Sequence, residues 1–264
     1  MTDNIIYIAD LDQDIDDCIA AEYLYHQYPD ISVVCDPPPT SKEGIHRFRE
    51  LKRKGIRFHS HIPPSTNILI VGGALTQTAE YILNHTLDYL FIQGGFVGSN
   101  IIPSDQALPK FRKKIYMRTY NLNLDTVSSD TVLKSDKISH IFLIGKNICH
   151  DQKNTLEGIW KDDTLHSLFE DYDVPPHKRL HDLLACHEAL SILTKDNILS
   201  VNCQPHLTYQ SLYPVTENGL QGIYTKWGSQ TQPSCYRLCQ IATAWNDITH
   251  DSSNRKENRH YDHQ

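Results

Sequence analysis

Five aspartates fall within eight positions of one another, Asp10, Asp12, Asp14, Asp16 and Asp17, directly after the apolar run Ile5-Ile6-Tyr7-Ile8-Ala9. Carboxylates crowded in this way repel each other unless some of them share a cation, and an all-oxygen set suits a hard metal. One or two acids could simply complement a helix N-terminus. Five exceed that need. The spacing is not that of an EF-hand loop, which requires glycine at its sixth position and glutamate at its twelfth; Ile15 and Ala21 stand there. Far along the chain His181-Asp182 opens another helical stretch. It supplies a further carboxylate and an imidazole that can carry a proton near neutral pH.

Positioning such groups is the work of the elements around them. Ile5 to Ala9, Ile31 to Cys35, Ile68 to Val71, Tyr89 to Ile92 and Ile141 to Ile144 are short apolar runs rich in β-branched or aromatic residues, and each reads as a buried strand. Helical spacing separates them, first at Cys18 to Leu24. The alternation predicts an α/β fold, an open and mostly parallel sheet with flanking helices, in which ligands sit at the carboxyl ends of the strands. At those ends stand Asp36 with three prolines, Gly72-Gly73, Gln93-Gly94-Gly95 and Gly145. Residues 1–250 are expected to form one domain, and the polar tail 251–264 to be disordered.

The net charge of -7 over 264 residues argues against general nucleic-acid binding. No apolar span reaches membrane length and no leader is expected at the start of the chain. Seven scattered cysteines point to reduced thiols and a cytoplasmic setting. Cys235 and Cys239 lack partners at zinc spacing, and His59-x-His61 reads as a solvated strand edge.

The order of these segments resembles the inosine-uridine-type nucleoside hydrolases. Asp10-x-Asp12-x-x-x-Asp16-Asp17 resembles their opening Asp-x-Asp-Pro-Gly-x-Asp-Asp, with Gln13-Asp14 in place of Pro-Gly. Gly72-Gly73-Ala74-Leu75-Thr76 is similar to their Gly-Pro-Leu-Thr-Asn turn. Thr119-Tyr120-Asn121 and Asp125 resemble Glu-aromatic-Asn-x-x-x-Asp, with Thr119 replacing Glu. Lys146 to His150 resembles Leu-Asp-Val-Thr-His, and Leu180-His181-Asp182-Leu183-Leu184-Ala185 resembles His-Asp-Pro-Leu-Ala.

The resemblance implies hydrolysis of an N-ribosidic bond in a nucleoside or nucleoside-like small molecule, with a calcium-bound water attacking the anomeric carbon. It implies calcium held by Asp12, Asp17, Asp182 and the main-chain carbonyl of Thr76, with Asp12 as general base and His181 as acid for the leaving base. Asp16, Asn121 and Asp182 would hold the ribose. Asp36 would either lean on the sugar or metal, or simply cap its turn. A second copy of the chain is a candidate partner. Two departures, Thr119 and a shortened segment between Asp17 and Leu75 that lacks the family's base-side flap, favour a substrate other than a plain nucleoside. Two alternatives stay open: a non-catalytic binder of a ribosyl ligand, and a dehalogenase-type phosphatase that would use magnesium and Asp10 as nucleophile.

Overall fold

Ile5–Ala9 forms β1 and is buried at every position, because it lies inside a sheet covered on both faces. A computed structural model describes residues 5–13, 15–96, 108–114, 119–150, 168, 171–172, 174, 178–195, 209–212, 214–216, 223–225 and 239–242. Asp14, Cys235 and the expected tail 251–264 lie outside the described residues.

β2 (Ser32–Cys35) and β4 (Ile68–Val71) flank β1 in parallel, pairing Ser32 with Ile6 and Ile68 with Ile5. β3 (Arg57–His59) lies outside β2, while β5 (Leu87–Gln93) and β6 (Ile138–Ile144) follow β4. These six strands run parallel in the order β3-β2-β1-β4-β5-β6, the expected open α/β sheet. Beyond β6 the sheet continues with β10 (Cys239–Ala242), parallel to it, and β7 (Tyr209–Leu212), antiparallel to β10. β8 (Pro214–Thr216) and β9 (Ile223–Thr225) form a separate antiparallel pair.

β1, β2 and β4 are buried at every residue, which is why they read as continuous apolar runs and not as alternating ones. β3 shows the opposite, with Arg57 and His59 exposed on either side of Phe58. Charge on an edge strand discourages further pairing. His61 is exposed as well, so His59-x-His61 is the solvated edge expected from the sequence.

Two helices cover the sheet above the strand ends. α1 (Asp16–Gln27) leaves β1 and is buried from Asp16 to Leu24. The last helix, His181–Lys195, packs on α1 and crosses β4, β5 and β6. Its residues Asp182 to Leu193 are all buried. Neither is one-sided, since each is enclosed by neighbours all round. Tyr23 of α1 and His187 join them, hydroxyl to Nδ1 at 2.8 Å. α2 (Lys42–Arg53), by contrast, lies at the surface and buries Gly44 and Leu51. α3 (Thr76–Ile82), α4 (Tyr120–Leu124), α5 (Thr126–Lys134) and α6 (Lys146–Cys149) are shorter and begin near the strand ends. Numbered among the helices whose bounds are described, His181–Lys195 is α7. Among the described residues no helix is long and apolar enough to cross a membrane.

Candidate active site

The carboxyl ends of β1, β4, β5 and β6 stand side by side in the sheet. A cavity of about 520 Å³ opens above them, within the usual range for a small-molecule site. Asp10 and Gln13 reach it from the end of β1, Asp16 and Asp17 from the first turn of α1, Gly72 from β4 and Gln93 from β5. Tyr120 and Asn121 of α4 and His150 after α6 form another wall, and Lys178, Arg179, His181 and Asp182 close it at the start of α7.

The acid half is locked from two directions. Asp16 accepts the backbone N–H groups of Asp182 at 3.1 Å and Leu183 at 3.4 Å, so a carboxylate of α1 caps α7. Asp17 Oδ1 accepts the Tyr7 hydroxyl at 2.5 Å. Burial pushes the Asp17 carboxyl well above its ordinary range; the charges of Asp16 and Asp10 add to this, while the Tyr7 hydroxyl and the Asp10 amide oppose it. The Tyr7 hydroxyl is raised as well, by burial and then by Asp17 and Asp182.

Gly72 is required where these groups converge. A Cβ there would collide with the Tyr7 hydroxyl and lie 2.7 Å from Asp17 Oδ1 and 2.9 Å from Asp182 Oδ1. Asn121 is held by its amide, which donates to the Gly72 carbonyl at 2.7 Å, the Gln93 carbonyl at 3.1 Å and Gln93 Oε1 at 2.9 Å. The thiols nearby are not nucleophiles. Burial pushes Cys35 and Cys149 up to about 12, and Cys186 is also raised, so all three stay protonated at neutral pH.

Asp16, Asp17, Asn121, His181 and Asp182, singled out from the sequence, thus share one cavity. Asp12, Asp36 and Thr76 do not line it. Asp12 turns toward the loop before α2, accepting Thr40 N at 2.8 Å, Thr40 Oγ1 at 2.9 Å, Ser41 N at 3.1 Å and Ser41 Oγ at 2.7 Å. Desolvation is the largest single influence and raises its carboxyl, but these bonds together outweigh it and lower the carboxyl to about 2. In this structure the donors to Asp12, expected from the resemblance to be general base and metal ligand, lie in the loop before α2. Asp36 accepts Gln77 N at 2.9 Å, a donor in the first turn of α3. Thr76 donates its hydroxyl to Asp125 Oδ2 at 3.1 Å and starts α3.

Gln93, His150, Lys178 and Arg179 were not singled out from the sequence as site residues, and Asp10 was given a role only in the phosphatase alternative. The strand-end rule could have found Asp10 and Gln93, since each is the last polar residue of its strand. His150 and the Lys178-Arg179 pair sit in segments with no periodic signal. They give the cavity a second electrostatic half. His150 is lowered to about 3, first by burial and then by His181, Lys110, Lys146 and Arg179, so it is a neutral imidazole among cations. Among the described residues, no group of three His, Cys, Asp or Glu side chains is drawn together into a metal-binding arrangement.

No protein-family model matches the chain. It is similar to an uncharacterized protein of Aquifex aeolicus, 28% identical over 174 residues that cover 61% of this chain and 54% of that protein. The chain therefore spans about half the length of this relative.

Proposed function

We propose that the protein hydrolyses an N-ribosidic bond in a nucleoside-like compound. One observation carries the reading: Asp10, Asp16, Asp17 and Asp182 meet Asn121 and His181 in a single cavity at the carboxyl ends of adjacent parallel strands. Such a bond breaks through an oxocarbenium-like sugar, which needs carboxylates for the cationic ring, fixed hydrogen bonds to hydroxyls and an acid for the leaving base.

The fit to calcium keeps Asp17 and Asp182 of the set the resemblance implies and adds Asp10 and Asp16. Asp17 and Asp182 both approach Gly72, and Asp10 and Asp16 complete an all-oxygen wall, the donor chemistry of a hard cation. Asp12 and Thr76 contribute nothing to that wall. When bound, the cation would lower the pKa of a water and offset the mutual repulsion of the acids.

The protein's own groups perform the rest. Asp182 and Asn121 hold the ribose hydroxyls, while Asp16 fixes the start of α7 and with it the direction of Asp182. Asp10, the carboxylate of β1 that faces the cavity, accepts the proton of the attacking water. The water oxygen bonds to the anomeric carbon as the carbon–nitrogen bond breaks, and the base departs with the electron pair and takes a proton from His181. Tyr120, at the rim, offers a face on which a base can stack.

The free buried thiols Cys18, Cys35, Cys149 and Cys186 support a reducing, cytoplasmic setting. One observation favours the phosphatase alternative: Asp10 faces cationic groups across the cavity. Incubating calcium- or magnesium-loaded protein with nucleosides and nucleotides, while measuring free base and free phosphate separately, tests both. Base release supports the hydrolase; phosphate release alone replaces it with the phosphatase, and neither product leaves the non-catalytic binder.

A further inference from the structure

The cavity is electrically divided. Its β1 side carries Asp10, Asp16 and Asp17, and the side toward α6 carries His150, Lys178 and Arg179. Two more lysines stand behind that second wall. Lys110 donates to His150 Nδ1 at 2.6 Å, and Lys146 begins the short helix that leads to His150.

Among the described residues, Lys110, Lys146 and Arg179 take part in no ion pair. Arg179 Nε is buried and without a hydrogen-bond partner, although a guanidinium edge is a strong donor that burial ordinarily pairs. The mutual repulsion is felt within the group: Lys110 is lowered by burial and then by Arg179, Lys146 and Lys114. An arrangement of like charges around an unmatched donor is relieved by an anion, and phosphate matches the planar donor fork of arginine.

We propose that Arg179 and Lys178, backed by the charges of Lys110 and Lys146, bind the phosphate of a phosphorylated ribosyl compound whose sugar lies against Asp182 and Asn121. The inference rests on the ribosyl reading of the acid half and adds the chemical class of the substrate. A polyanion alone would meet four carboxylates across the cavity. A plain nucleoside would leave the basic wall unmatched. A ligand with hydroxyls at one end and phosphate at the other satisfies both halves.

Calorimetry with ribose 5-phosphate, ribose and inorganic phosphate tests this at low and high salt. Ribose 5-phosphate should bind at least tenfold more tightly than either of the others, with the gap narrowing at high salt. Arg179→Gln should remove most of that gap and leave ribose binding unchanged. Lys110→Ala, at an exposed side chain whose loss does not threaten the fold, should narrow it about threefold. Equal binding of ribose and ribose 5-phosphate, or inorganic phosphate bound as tightly as ribose 5-phosphate, overturns the proposal.

A turnover assay on a nucleoside and its 5′-monophosphate separates this inference from the hydrolase reading. Faster base release from the monophosphate supports both. Base release from the nucleoside with no gain from the phosphate overturns the inference alone. Phosphate release without base overturns the hydrolase reading and leaves the basic wall supported.

Discussion

Asp16 accepts the backbone amide of Asp182 at 3.1 Å, joining positions 166 residues apart. The first turn of α1 and the first turn of α7 are thereby fixed to each other. Asp17 and Asp182 then reach the same glycine from two helices. Replacing Asp16 with Ala should cost about 1.5–3 kcal/mol, the range for a hydrogen bond to a charged group, in urea unfolding. Ribosyl binding should fall with it, because Asp182 loses its anchor. Asp16→Asn, whose amide oxygen can still accept, should recover part of the stability. Equal losses from both variants would show that this cap does not hold α7.

Gly72 is predicted to tolerate no side chain. In Gly72→Ala the new methyl would press on Tyr7, Asp17 and Asp182, and overpacking of this kind costs about 1–3 kcal/mol. Thermal unfolding and ligand calorimetry on the variant check this. An unchanged melting temperature with unchanged binding would contradict the packing described.

Asp12 separates the structure from the resemblance. If its bonds to Thr40 and Ser41 are its main role, Asp12→Ala lowers stability by about 1 kcal/mol and leaves turnover measurable, whereas Asp10→Asn abolishes it. The opposite ranking, with Asp12→Ala folded but inactive, would restore Asp12 as the base. There is also a pH signature. The Asp12 carboxyl lies at about 2 in the folded chain against 3.8 ordinarily. Its stabilisation is therefore fully present above pH 3.8 and is lost as pH falls through 2. The wild-type advantage over Asp12→Asn should disappear across that window in acid titrations of unfolding.

Calcium should raise the melting temperature and a chelator should reverse the shift, by mass action on the folded form. The response should weaken in Asp182→Asn and in Asp17→Asn but persist in Asp12→Asn. A shift that depends on Asp12 and not on Asp182 would refute the assignment of the cation to the acid half of the cavity.

The fold was largely legible because strands covered on both faces must be apolar throughout, as Ile5–Ala9 and Ile68–Val71 are. The site was legible where a side chain follows from its place on an element: Asp16 and Asp17 at the start of α1, His181 and Asp182 at the start of α7. Three further residues singled out from the sequence, Asp12, Asp36 and Thr76, stand outside the cavity lining. Each stands at a strand end or helix start, where direction is set by a remote donor or acceptor: Thr40 and Ser41, Gln77, or Asp125. The basic wall was missed because Lys178-Arg179 and His150 acquire meaning only from being brought opposite the acids.

The enclosure of α7 has a consequence for synthesis on the ribosome. A nascent chain that has emerged only through β6 already holds the six parallel strands, yet lacks the helix that covers β4 to β6 and receives the Asp16 cap. Those apolar faces stay wet until residues 181–195 clear the exit tunnel. The first half of the protein must therefore wait, chaperoned or in flux, for a segment made much later. Cavity and core should appear together in a single late step, so a stalled chain ending at Gly145 should remain sensitive to protease while one extending well past Lys195 gains protection.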